Sequence, residues 1–169
     1  MGDSATTIIA IFLAAILMFV FPLMTMADKT DDTVKLTVQT ATTEFTNDVR
    51  TSGYLSQEKY DKYIQTLAAT GNSYDVEITI QILDENPAKK ETSATVKIGD
   101  NVYYTMYTTQ VLESLPLQLK EGDIISVSVK NTNNTIATQL RNFMYKVTGN
   151  ESKAITAQSS GIVTKTTTK

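Results

Sequence analysis

From Ser4 to Ala27 the chain carries no charged residue, and within that stretch Ile8 to Ala27 reads IIAIFLAAILMFVFPLMTMA. As an α-helix this run is roughly 30 Å long, the thickness of a bilayer hydrocarbon core. It holds eleven Ile, Leu, Phe and Val residues. Each favours insertion by roughly 0.3 to 0.6 kcal/mol, which outweighs the cost of Pro22 and Thr25. Residues 1–27 are therefore expected to form a single membrane-spanning segment. A cleaved signal peptide is the competing reading, with Thr25, Met26 and Ala27 as a passable small-residue site. No basic residue precedes the run, and it exceeds a usual signal-peptide apolar region, so retention in the membrane is the expectation.

Within the run, Thr6, Ala10 and Ala14 recur every four residues. That spacing puts small side chains on one helical face, where a second helix can approach closely. Pro22 cannot donate to the preceding turn, so a bend is expected near it.

The helical pattern continues beyond the apolar run. Val34, Val38, Ala41, Phe45 and Val49 are spaced by four, three, four and four, and neither Gly nor Pro occurs between Leu23 and Ser52. One long helix, apolar and then amphipathic, is predicted. After a break at Gly53 to Leu55, a second helix is expected from Gln57 to about Thr70. Ser56 would cap it, Leu55 would pack on Tyr60, and Gly71 would stop it. Tyr60, Tyr63, Ile64, Leu67 and Ala68 are its expected buried stripe.

Period-2 alternation follows at Val76, Ile78, Ile80 and Ile82, and again at Thr92, Ala94, Val96 and Ile98, with a loose hairpin around Asn86 and Pro87. A turn at Gly99 to Asn101 leads into VYYTMY, a third short strand, and Thr109 to Ser114 read as a helical turn ended by Pro116. Glu121, Gly122 and Asp123 form a turn into a strand at Ile125, Val127 and Val129. Ile136, Leu140, Phe143 and Val147 follow helical spacing up to Gly149, and a last weak strand lies between Ala154 and Val163. The expected class is α+β, a long N-terminal helix packed on a small antiparallel sheet. Residues 28–163 form its folded domain and 164–169 a disordered polar tail.

The chain of 169 residues has no Cys, His or Trp, which removes disulfides, thiolate and imidazole ligands, and the commonest nucleophile and base pairs. All 15 Lys and Arg lie after Ala27, and of the 18 Asp and Glu only Asp3 precedes it, so the remainder is nearly balanced. Such a surface is ill suited to nucleic acid phosphates. Asp31 and Asp32 diverge by about 100° on a helix, so they read as solvated flank charges and not as an acid and base pair. No phosphate-binding glycine loop, calcium loop or nucleophile elbow is present. Asn133-Asn134-Thr135 and Asn150-Glu151-Ser152 fit the glycosylation acceptor pattern by chance. No catalytic residue, metal site, cofactor or small-molecule substrate is indicated. Tyr103, Tyr104 and Tyr107 form the one aromatic cluster, either a surface patch or ordinary strand composition.

Three stretches carry a family resemblance: VRTSGYLSQEKYDKYIQTLAATGNSYDVEI from Val49 to Ile78, EGD followed by a strand from Glu121 to Val129, and SSGIV from Ser159 to Val163. With the leading apolar helix, they resemble the small pseudopilin-like (TadE-like) proteins of bacterial tight-adherence pilus systems. The resemblance implies a pilin-like fold and a non-enzymatic structural or assembly role. It also implies an extracytoplasmic domain, and partners that are the membrane and other pilin-like subunits, including copies of itself. The chain departs from the prepilin pattern at one place. Cleavage after Gly2 would put Thr7 where the family's fifth-position Glu stands, which points to a minor or accessory component. Charge is nearly silent on orientation, because Lys29 and Lys35 are interspersed with Asp28, Asp31 and Asp32. The alternative reading is a membrane-tethered or secreted ligand-binding module.

Overall fold

The computed structural model describes residues 2–84, 102–145 and 154–166. The expected strand at Thr92 to Ile98, the Asn86-Pro87 hairpin and the Gly149 stop lie outside the described residues. The elements are α1 (Gly2–Ser52), β1 (Tyr54–Leu55), α2 (Gln57–Ala68), β2 (Tyr74–Leu83), β3 (Tyr103–Met106), α3 (Thr108–Glu113), β4 (Leu117–Gln118), β5 (Ile124–Asn131), α4 (Ile136–Tyr145) and β6 (Thr156–Ile162). The class is α+β. The chain divides into two compact units, one formed by residues up to Leu36 with Asn134–Ile155, the other by Thr37–Asn133 with the residues from Thr156 onward.

In the second unit four strands pair in the order β3-β2-β5-β6, every pair antiparallel. The register sets Ile78 opposite Val127 and Ile80 opposite Ile125, and Val129 opposite Ala157. Residues directly opposite in an antiparallel pair share a face, so one face of the sheet is continuously apolar. Ile78, Ile80, Ile125 and Val127 are fully buried there. The other face carries Asp75, Glu77, Ser126, Ser128 and Lys130, which is the alternation expected of a sheet wetted on one side.

The second half of α1 contributes four of the five residues of its predicted stripe to this core: Val38, Ala41, Phe45 and Val49 are all buried, whereas Val34 belongs to the first unit and is half-buried. Gln39 Nε2 donates to the Gln158 carbonyl at 3.1 Å, and the Arg50 carbonyl accepts from Thr164 N at 3.0 Å. Gly161 lies on the apolar face, opposite Ile125. A methyl group there would stand 3.0 Å from Arg50 Cδ, so the bare glycine gives the arginine stem its seat.

Helix α1 ends at Gly53, whose φ of 64° and N–H bond to the Val49 carbonyl at 2.8 Å form a left-handed stop. The chain then pairs β1 with β4, and Leu119 N donates to the Gly53 carbonyl at 2.8 Å. Ser56 caps α2 by accepting from Lys59 N at 3.3 Å, and Gly71 follows the helix at φ 78°. Of the expected stripe on α2, Tyr63 and Leu67 are buried and Tyr60 and Ile64 half-buried, while Ala68 is exposed. Ala68 lies about 100° round from Leu67, and the helix ends before its side of the surface is covered.

Strand β3 stops at Met106, opposite Ile80, which leaves Ile78 without a partner on that edge. The first residue of α3 fills the gap: Ile78 N donates to Thr108 Oγ1 at 2.9 Å. The turn before β5 is held by Asp123, 2 % exposed. Its Oδ1 accepts from Leu83 N at 2.9 Å and its Oδ2 from Lys120 N at 2.8 Å. Its backbone carbonyl accepts from Val163 N at 2.7 Å, so one residue ties together the ends of β2 and β6 and the turn itself. Hydrogen bonds continue to Thr166, whose hydroxyl accepts from Glu121 N at 3.0 Å.

Candidate functional site

The first half of α1 presents apolar side chains that none of the described residues covers. Met18 is 77 % exposed, Phe19 72 % and Phe12 69 %. The most apolar 18-residue window has a mean hydropathy of 2.7 and none of it is buried, so this helix is long and apolar enough to cross a membrane. In water each such side chain would forgo roughly 1.5 to 3 kcal/mol of burial. Thr6, Ala10 and Ala14 lie on α1 at four-residue spacing and are exposed, as is every residue from Ser4 to Phe19. Pro22 stands inside the helix, which continues through it as one element. The carbonyl of Met18 therefore has no amide donor one turn on. Thr25 further occupies local acceptors, donating to the Phe21 carbonyl at 3.0 Å.

Beyond the apolar run, the first unit places α4 beside α1. Between Ser4 and Leu36 the half-buried residues are Val20, Met24, Ala27, Asp28, Asp31 and Val34, and all others are exposed. At 100° per residue these six fall within an arc of about 120°. Thr135 caps α4, accepting from Thr138 N at 3.1 Å, and donates its hydroxyl proton to Asp31 Oδ2 at 2.8 Å. Arg141 forms an ion pair with Asp28. The expectation of Asp31 as a solvated flank charge is thus corrected, because the Thr135 hydroxyl and partial burial hold it. Asp32, one residue round the helix, is exposed. The contact escaped sequence reading because the partners are more than a hundred positions apart.

The second unit contains a groove of about 470 Å³ between α1 and α2, lined among others by Glu44, Phe45, Asp48, Glu58, Lys62 and Tyr63. Its floor is the stacked pair Phe45 and Tyr63, with ring centroids 4.4 Å apart and planes 8° from parallel. The Tyr63 hydroxyl lies 2.9 Å from Thr42 Oγ1, which also donates to the Val38 carbonyl at 2.7 Å. Burial pushes the Tyr63 phenol up to about 12, against the smaller opposing pull of the Thr42 bond. Lys59 is committed at the rim, 2.9 Å from Asp48 and 2.8 Å from Ser52 Oγ. The lining carries both signs of charge, so no strong field selects a ligand.

Tyr103 and Tyr104 do not form one patch. They are successive residues of β3, opposite Leu83 and Ile82, and so point to opposite faces of the sheet. Tyr107 is 65 % exposed at the start of α3, where its N–H donates to Gln110 Oε1 at 3.1 Å. Among the described residues no group of three or more Asp and Glu is placed to hold a metal ion. Compared with protein-family models, curated proteins and solved structures, the chain matches none.

Proposed function

We propose that this chain is a membrane-anchored, non-enzymatic, pseudopilin-like structural or assembly component of a bacterial pilus, secretion or cell-surface system, with its sheet domain outside the cytoplasm. The observation that carries the reading is the double use of α1. Its first half leaves large apolar side chains such as Phe12, Met18 and Phe19 uncovered, and its second half buries Val38, Phe45 and Val49 in the sheet domain's core. A passive tether has no need of that continuity, because a flexible linker anchors equally well. A helix shared between bilayer and fold is suited to subunits that associate through their helices. The exposed face at Thr6, Ala10 and Ala14 supports the same reading, since small residues let helix backbones approach. The partners are other membrane-anchored or pilin-like subunits, including further copies of this chain.

The test replaces Ala10 and Ala14 together by Leu. Loss of co-purification with the assembly, with membrane insertion intact, is the expected result, and unchanged assembly would overturn the proposal. The second reading, a tethered or secreted ligand-binding module, is favoured by the α1–α2 groove. It predicts a monomeric fragment beginning at Asp28 that binds its ligand unaided. A signal sequence shares the description of the first half of α1, and the intact mass of the native protein separates that case.

A further inference from the structure

We propose that α4 lies in the headgroup layer of the membrane that α1 crosses, as an interfacial helix whose partner is the lipid surface itself. The inference rests on the reading of α1 as a membrane span and adds a second contact with the bilayer. Asp28 is the first charged residue after the uncharged stretch from Ser4, so it marks the level at which hydrocarbon gives way to headgroups. Arg141 is paired with Asp28, which fixes the middle of α4 at that level. Thr135, at the start of α4, is bonded to Asp31, nearly one turn farther from the apolar run. From Thr135 to Arg141 the helix therefore advances toward the hydrocarbon, and its remaining turn continues past the level of Asp28. The half-buried stripe on α1 runs the same way, from Val34 back to Met24 and Val20 inside the apolar stretch.

The chemistry of α4 suits that position. Its first residue, Ile136, is 73 % exposed although apolar. The last turn holds Phe143, Met144 and Tyr145 in sequence, aromatic and apolar types that favour the interface. Arg141 is its one charged residue, and the ion pair with Asp28 offsets that charge locally. An interfacial helix whose single charge is paired in this way is held by apolar burial, so its depth is expected to be the same in zwitterionic and anionic bilayers. A protein partner is the competing occupant, but the position set by Asp28 brings lipid to this helix without a second protein.

The chain lacks Trp, so a single introduced Trp reports its own surroundings. The full chain is reconstituted in phosphatidylcholine vesicles carrying bromine either near the headgroups or deep in the acyl chains. Four variants are compared: Ile136→Trp and Tyr145→Trp in α4, Phe12→Trp within the apolar run, and Thr40→Trp on an exposed site of α1. The expected result is that both α4 reporters are quenched about twofold more by shallow than by deep bromines and are shielded from aqueous iodide relative to Thr40→Trp. Phe12→Trp, inside the hydrocarbon, is expected to be quenched by bromines at both depths and shielded from iodide. If Phe12→Trp is quenched while both α4 reporters are as open to iodide as Thr40→Trp, the interfacial placement of α4 is overturned and the membrane span stands. If Phe12→Trp escapes quenching too, the membrane reading itself falls and this inference falls with it.

Discussion

Asp123 shows how much of the sheet domain depends on one carboxylate. Both oxygens accept backbone N–H groups, from Leu83 and Lys120, in a site that is 2 % exposed to water. Asp123→Asn would keep the shape but turn an amide N–H₂ toward one of those donors, leaving a buried N–H unsatisfied. A loss of about 2 kcal/mol or more is expected in urea unfolding of the detergent-solubilised protein. Tyr63 gives a prediction with a sign. Burial favours its neutral form, raising the folded-state value from 10.0 to about 12. That stabilisation is fully present below pH 10 and is lost as pH rises through 12, a change of roughly 2 to 3 kcal/mol. Tyr63→Phe removes the titrating group and leaves Thr42 still bonded to the Val38 carbonyl. It should cost about 1 kcal/mol at neutral pH and flatten the decline between pH 10 and 12 relative to the parent. An equal alkaline decline in both proteins would count against this account.

At the scale of elements, α1 is the instructive case, because its composition argues against a helix and its spacing argues for one. Thr and Val have poor helix propensity, yet Thr30, Thr42, Thr43, Thr46 and Thr51 all sit inside it, each hydroxyl donating to the carbonyl four residues back. The stripe of Val38, Ala41, Phe45 and Val49 decides the matter through burial. Thr40 is exposed and shares none of that packing, so Thr40→Ala should stabilise the fold by about 0.5 kcal/mol, measured as a shift in the unfolding midpoint. The same logic separates what was legible in the sequence from what was not. Elements with a clear period or a local stop, such as α2 with Ser56 and Gly71, or β2 and β5 with their alternation, were readable from their own residues. The two-residue strands β1 and β4 have no period to read, and the role of Asp123 appears only when β2 and β6 meet at its turn. The apolar run was legible as a helix able to cross a membrane. The groove over Phe45 and Tyr63, and the grip of α4 on Asp28 and Asp31, depend on helices that find each other only in the fold.

For the whole molecule, the decisive quantity is the balance between the apolar half of α1 and water. The eleven strongly apolar residues of Ile8 to Ala27 together favour insertion by roughly 3 to 7 kcal/mol, and one Arg at the helix centre opposes it by roughly 2.5 to 3.5 kcal/mol. Leu17→Arg alone should therefore weaken integration without abolishing it, since snorkelling and local thinning soften the cost of a single charge. Leu13→Arg with Leu17→Arg doubles the opposition and brings it level with the favourable term. In alkaline carbonate extraction the parent chain is expected in the membrane pellet and the double variant in the supernatant, with the single variant divided between them. The graded response is what distinguishes a span from looser attachment. A chain held only through its sheet domain or by a protein partner would leave the pellet in carbonate whether or not Arg is introduced. If the parent is extracted as readily as the double variant, α1 is not a membrane span, and its uncovered apolar face must be closed by protein.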